Sequence, residues 1–418
     1  MRPSRFLLTL ALGLVGLAPA ARAQWSQVPE IPGRELFSLF VNGDTIATGA
    51  DTTVHVSTDG GVTWRHSSKP VAAVRAITAT RVRNGRLYAG TFGQGVWTSD
   101  DLGQTWQAFN QGLVGGFEDS QLDVVDLKVR GDSLYAATAG AGVYLRRFAA
   151  PSAWQPTGTV FAPEQSENVN SLAVGGTRLL ALAGSNGMVF RNDPGEADWT
   201  ESDLDNIGIH AGLSAMTGAW TGTGWVVGTN FGVFLSTGGQ EPWTPMGLGL
   251  GAIRWTAFTT QGGHLFAAFV TGTVAVMEQS GDNGATWTID DVLPGIFVQG
   301  VGLSRGQLYA SRGDGLWRRP SPALAVGPPV AGALRFSIAG AQPFTDRATF
   351  RFDLPMPGVA TIELFDVMGR RTGVRASASS PAGAQQLSLD ARDLRPGVYA
   401  ARLTAGAAHA ELRIVHVR

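Results

Sequence analysis

The chain has 418 residues, 33 acidic against 32 lysine and arginine side chains, a formal net charge of −1 and no cysteine. The length predicts two or three domains, and the balanced charge points away from nucleic acid and from anionic membranes as partners. Without cysteine, disulfides, thiol nucleophiles and thiolate metal sites are excluded.

Residues 1–23 read as a targeting segment. Arg2 and Arg5 precede an apolar run from Phe6 to Leu17, and Ala21-Arg22-Ala23 has the A-x-A form of a cleavage site before Gln24. The apolar run is too short to span a bilayer, and no later stretch is long enough. The expectation is a signal peptide and an exported, soluble mature protein with no transmembrane segment.

From there the chain repeats. A short strand such as "LYAGTF" at Leu87 has counterparts starting at Ile46, Leu134, Leu179, Trp225, Leu265 and Leu308. A second strand follows each, among them "VHVS" at Val54, "GVWTS" at Gly95, "GVFLS" at Gly232 and "GLWRR" at Gly315. A turn and a tryptophan come next, at Trp64, Trp106, Trp154, Trp199, Trp243 and Trp287. Units of about 40–45 residues holding four short strands predict β-propeller blades, and seven units predict seven blades. Alternation with period two, broken by Gly and Asn, excludes a helical solenoid. The last unit lacks its turn-Trp strand, whereas "QWSQVP" at Gln24 supplies an unpaired one. The N-terminal strand is therefore expected to complete the last blade and close the ring, since closure removes open sheet edges.

Three turns share the pattern Ser-x-Asp-x-Gly-x-Thr-Trp: Ser57, Asp59, Gly61, Thr63 and Trp64; Ser99, Asp101, Gly103, Thr105 and Trp106; Ser280, Asp282, Gly284, Thr286 and Trp287. Asp accepts bonds from backbone N–H groups, Gly takes a backbone conformation costly for other residues, and Trp packs between sheets. These residues are expected to be structural. A calcium reading of "DDLG" and "GDNG" lacks the oxygen ligands of a loop ending in Glu. The pattern resembles the Asp-box, or bacterial neuraminidase (BNR) repeat, whose motif sits at blade peripheries away from the central site.

After "RRPSPALAVGPPVAGA" the composition changes. The domains expected are a signal peptide over 1–23, a propeller over 24–319, a linker over 320–332 and a small Ig-like β-sandwich over 333–418. The tail resembles the C-terminal sorting domain of the type IX secretion system, through "PF" at Pro343, "FDLP" at Phe352, "LFDVMGRR" at Leu364, "LRPGVYAARL" at Leu394 and the terminal "VR". Gln342 stands where asparagine is usual. The resemblance implies the type IX machinery as a partner and a secreted or outer-membrane surface location. Leu364 and Val398 are expected to face the sandwich core, with Gly369 and Gly397 at turns.

Catalysis is the weaker reading. Sialidases among Asp-box propellers carry Arg-Ile-Pro and a Tyr/Glu pair; this chain has no Arg-Ile-Pro, and Tyr88, Tyr135, Tyr144 and Tyr309 fill repeated strand slots. A glycosidase needs two carboxylates about 5–10 Å apart. Loops entering the innermost strands hold Glu118, Asp119, Asp123, Glu164, Glu167, Asp203 and Asp205. Binding candidates at the same funnel face are Arg75, Asp123, Glu167, His210, Arg254 and Trp255, the last able to stack on a sugar. No second histidine stands at metal spacing from His210, so no metal and no cofactor is expected. The reading is an exported, non-catalytic propeller binding a glycan or protein ligand through its funnel face. The alternative is a surface glycoside hydrolase using funnel carboxylates.

Overall fold

The computed structural model describes residues 25–417, leaving out 114–119, 150–151, 159–167, 184–186, 197, 205–212, 247–252, 262–263, 272–273, 285–286, 295–296, 322–335, 340–343, 355–356, 367–369, 382 and 406–407. Among the described residues the chain is nearly all strand, with one short 3-10 turn at Ser120–Leu122. Seven four-stranded antiparallel sheets lie before residue 321, and each runs from an innermost to an outermost strand in chain order, except the seventh. We number them 1 to 7 by their innermost strands: Leu36–Asn42, Ile77–Arg83, Val124–Arg130, Val169–Gly175, Ala215–Trp220, Ile253–Gln261 and Val298–Ser304. Each innermost strand packs against the next, and Val298–Ser304 returns to Leu36–Asn42, so the chain forms a closed β-propeller ring.

Closure is made by the N-terminal strand. Ser26–Pro32 pairs antiparallel with Gly315–Pro320, Ser26 opposite Arg318 and Gln27 opposite Trp317, and so becomes the outermost strand of sheet 7. Trp25 is buried just before it and packs with Phe266, Met277 and Leu308. Arg319 stacks over the Trp25 ring and pairs with Asp290 of sheet 6. First and last strands of the ring are thus tied to each other and to a neighbour.

The core lies between sheets. Alternating strand positions supply it: in Arg178–Ala183, Leu180 and Leu182 pack toward sheet 5, while Leu179, Ala181 and Ala183 pack toward sheet 3. Tyr88, Tyr135, Tyr144 and Tyr309 are all buried. Glycine is required where sheets approach: a Cβ on Gly49 would stand 2.5 Å from the Ile77 side chain.

The Ser-x-Asp-x-Gly-x-Thr-Trp turns lie between the third and fourth strands, on the outer part of the ring. The Asp59 carboxylate accepts the N–H groups of Val62 and Thr63 and the hydroxyls of Ser57 and Thr63, while Ser57 Oγ accepts the Gly61 N–H at 2.8 Å. Asp101 accepts Thr105 N–H at 2.8 Å and the hydroxyls of Thr105 and Ser99. Ser280 repeats the arrangement toward Asp282 and Gly284. Gly61, Gly103 and Gly284 all have positive φ. The Thr105 hydroxyl, then its N–H and the Ser99 hydroxyl, hold the Asp101 pKa down to about 2, and the equivalent bonds from Thr63 and Ser57 lower that of Asp59. Trp287 is buried, whereas Trp64 and Trp106 are only half-buried, because their rings cover the outer edge of the neighbouring sheet's core rather than its middle.

The tail forms a sandwich of two sheets, one of Phe336–Ile338, Arg347–Leu354 and Gly383–Asp390, the other of Arg371–Ser380, Gly358–Phe365, Gly397–Ala405 and Ala408–His416. Phe350, Ile362, Leu364, Ala401, Leu403 and Ile414 fill its core. Val398 does not join them. In Gly397–Ala405 the inward positions are Tyr399, Ala401 and Leu403, so Val398 is out of phase and packs instead against the sheet 6 cluster with Ile289 and Trp287. Gly397 opens a strand with ordinary φ rather than a strained turn, and Gly369 lies outside the described residues.

Candidate functional site: the central channel and its mouth

Every innermost strand carries an irregularity near its start. The register shifts fall between Leu36 and Ser38, Ile77 and Ala79, Val124 and Asp126, Val169 and Ser171, Ala215 and Thr217, Trp255 and Ala257, and Val298 and Gly300. Each inserts one extra residue, and a β-bulge bends its strand and re-aims side chains. Six of these residues, Phe37, Thr78, Val125, Asn170, Met216 and Gln299, line the central channel, which encloses about 1310 Å³. Thr78 Oγ1 also bonds to the carbonyl of Val124 and Asn170 Nδ2 to that of Ala215 at 2.8 Å, joining each sheet to the next at the bulge. The bulges of these six sheets each present one chemically distinct side chain to the same space.

Among the described residues, the charged side chains lining the channel are Arg81, Arg83, Asp126 and Lys128. Asp126 sits at their centre. Its carboxylate accepts Lys128 Nζ at 2.7 and 2.9 Å, the N–H groups of Leu127 at 2.8 Å and Leu172 at 2.9 Å, and the Ser171 hydroxyl at 3.1 Å, with Arg81 at 3.5 Å. Sheets 2, 3 and 4 therefore meet on one carboxylate. Burial pushes the Asp126 carboxyl up, but Lys128 and Arg81, with the bonds from Lys128 and Leu172, outweigh it and hold it below the usual carboxylate range. Burial, then the adjacent Arg81, bring Lys128 down to about 8 despite its pairing with Asp126. Three cations against one acid leave this arc of the channel positive. An ionised, fully hydrogen-bonded carboxylate has no proton to donate and no vacant lone pair for a water, so Asp126 is unsuited to general acid–base work.

At the end of the ring where the innermost strands begin, two apolar side chains stand in the open, Phe297 just before Val298–Ser304 and Phe92 just after Thr91, the partner of Ile77. Phe297 is 52% and Phe92 40% exposed. The Phe297 carbonyl accepts the Gly313 N–H at 2.9 Å, and the next residue, Asp314, accepts the Gly33 N–H at 3.1 Å. Gly33 opens a second cavity of about 420 Å³, lined by Pro32, Arg34, Glu35, Phe37 and Asp51. Phe37 lines both cavities, so the smaller one adjoins the channel. On the other flank, the Phe92 N–H donates to Ala76 at 3.0 Å, beside exposed Arg75.

The residues singled out in the sequence are distributed as follows. Arg75 is exposed, two residues before the innermost strand Ile77–Arg83, and Asp123 is half-buried with its carbonyl accepting the Ala139 N–H at 2.9 Å. Arg254 and Trp255 lie on the innermost strand of sheet 6, opposite Val270 and Phe269, and their side chains lie outside the description. Glu167, His210, Glu118, Asp119, Glu164 and Asp205 lie outside the described residues. Asp203 ends the outermost strand of sheet 4, away from the channel lining. Sequence reasoning missed Asp126, Lys128, Arg81 and the bulge residues. Repeat alignment showed the strands, but the bulge at each start shifts which side chain meets the channel.

No family model matches the chain, and no curated relative does. Solved structures do match. The chain is similar to YCF48 bound to D1 peptide, at 14% identity and TM-score 0.56, covering 73% of this chain and 98% of that one. YCF48 from Cyanidioschyzon merolae matches at 15% identity and TM-score 0.54, covering 72% of this chain and all of that one. The extracellular domain of the putative hybrid two component system BT4673 from B. thetaiotaomicron matches at 12% identity and TM-score 0.56, covering 81% of this chain and 45% of that one. These likenesses are of fold. No helix among the described residues is long and apolar enough to cross a membrane.

Proposed function

We propose that this chain is an exported, non-catalytic seven-bladed propeller that holds a segment of another protein at its channel mouth. The observation carrying this reading is the state of the channel's charge. Its described carboxylate is consumed by Lys128, Arg81, Ser171 and two backbone N–H groups, leaving a net positive arc lined by unreactive side chains. Such a surface recognises negative charge, and among the described residues the channel lining holds one carboxylate rather than the pair glycoside hydrolysis uses. Exposed Phe92 and Phe297 supply the apolar area that protein partners bury. A peptide ligand is also what one fold neighbour is bound to. The Asp-box residues serve as turn latches in this reading, and the tail from Ala333 is a type IX sorting domain that carries the protein outside.

The test is site-specific photo-crosslinking in the native host. A benzoylphenylalanine placed at Phe297 or Phe92 should give discrete protein adducts. The same group at Val62, which is 66% exposed on an outer turn, should give none. Equal adducts at all three positions, or none at Phe297 and Phe92, would contradict the reading. Removing residues 333–418 should leave a folded propeller in the periplasm; undiminished surface delivery would return the tail to an ordinary module.

A further inference from the structure

On sheet 1, away from the channel charges, two histidines meet. His55 lies on Thr53–Ser57 and His66 on Arg65–Ser68, directly opposite in the antiparallel register. Directly opposed side chains share one face of the sheet with their Cβ atoms about 5 Å apart. Here the rings stand edge to face at 72°, and the two Nδ1 atoms approach to 2.6 Å. In the metal-free chain one Nδ1–H donates to the other Nδ1, which brings the two ring nitrogens within reach of a single ion.

We propose that His55 and His66 form a chelate for a divalent cation of tetragonal preference, Cu²⁺ before Ni²⁺ and Zn²⁺. His55 Nε2 lies 3.0 Å from Thr53 Oγ1. Donation from Nε2–H to that hydroxyl fixes the tautomer and leaves Nδ1 as the ligand, the outer-shell arrangement typical of metal-bound imidazole. Arg34, the cation facing this pair, is itself engaged by Asp51 at 3.8 Å and Thr52 at 2.9 Å. His66 is exposed and can turn its ring, and water can fill the remaining positions. On binding, the proton on His66 Nδ1 moves to its solvent-facing Nε2, so no net charge transfer is required.

Separation sets the metal. With bonds of about 2.0 Å, cis ligands at a right angle stand about 2.8–2.9 Å apart, against about 3.3 Å at the tetrahedral angle zinc adopts. From 2.6 Å, the tetragonal spacing needs a few tenths of an ångström of movement. The Irving–Williams order adds to that preference. With no cysteine in the chain, no thiol competes for the ion or reduces it. Spacing along the chain does not reveal this pair, which is formed across a hairpin.

The experiment is a Cu²⁺ titration of the tag-free mature chain, followed by calorimetry and by electron paramagnetic resonance. The proposal expects one tight equivalent with superhyperfine splitting from two nitrogens, and weaker Zn²⁺ binding. Thr53→Val should lower Cu²⁺ affinity by about tenfold, the low end of the range for outer-shell loss, and His66→Asn, which removes a ligand, by about a hundredfold or more. His66 is exposed, so its variants should keep the wild-type thermal transition; His66→Gln is the second variant should Asn disturb it. No tight equivalent, a spectrum and affinity unchanged in both His66 variants, or Zn²⁺ binding as tightly as Cu²⁺ would each overturn the proposal.

Discussion

The Tyr309 hydroxyl donates to the carbonyl of Gly60 at 2.9 Å, joining residues 249 positions apart. Tyr309 belongs to sheet 7 and Gly60 to the first Ser-x-Asp turn, so this bond ties the last repeat to the first. Arg305 adds paired bonds to Asp44 at 2.6 and 2.7 Å, and Arg318 donates to Gly61 at 3.2 Å. The turn that Asp59 holds is thus also the surface on which the ring closes.

Tyr309→Phe should cost about 1 kcal/mol, the net worth of a buried hydrogen bond, since the ring stays packed and only the hydroxyl goes. Equilibrium urea denaturation measures it. Deleting 24–29 should cost far more, because it removes the start of the closing strand and the buried Trp25. Equal midpoints for the deletion and the wild type would argue against closure by this strand.

The aspartate turns predict acid sensitivity. Asp101 is held down to about 2 and Asp59 is lowered in the same way, from an unfolded value near 4. A depressed carboxylate contributes stability that is present above its unfolded pKa and lost as pH falls toward the folded one. Melting temperature should therefore fall between about pH 4 and pH 2. Asp101→Ala should lower it by a few degrees at pH 7 and flatten this acid limb, because three local donors lose their acceptor.

Asp126→Asn should destabilise the ring by about 2–4 kcal/mol at pH 7, since Arg81 and Lys128 are left facing each other beside a buried amide. Part of that loss should return at higher pH. Burial and Arg81 already hold Lys128 below its unfolded value, and losing the Asp126 charge that raises it pushes it lower still, so the variant gains more stability than the wild type as pH rises. Urea midpoints at pH 7 and pH 9 for variant and wild type read this directly. A penalty unchanged at pH 9 would show that the carboxylate acts through its backbone bonds alone.

Much of the fold was legible because a propeller repeats its own chemistry. "LYA" strands and turn tryptophans mark each sheet, and the orphan strand at Trp25 had one place to go. Tail strands were legible too, through alternation, although Val398 was assigned to the wrong side. A single residue of phase separates a sandwich core position from one that reaches the propeller. The channel was less legible for the same physical reason: each innermost strand is bulged, and a bulge reverses the inward–outward parity beyond it. Nothing in the sequence marks Asp126 and Lys128; only the register places Arg81 and Ser171 beside them. The pairing of His55 with His66 likewise depends on a hairpin register that spacing alone does not reveal.

In the proposed function, ligand is held at the channel and its mouth without hydrolysis. Hydrogen–deuterium exchange of the mature chain, with and without the partner captured at Phe297, tests it most directly. Protection is predicted over Leu36–Asn42, Ile77–Arg83 and Val124–Arg130, with the partner recovered at its original mass and no change over 57–64 or 99–106. Protection confined to those outer turns, or a partner returned cleaved, would contradict the account.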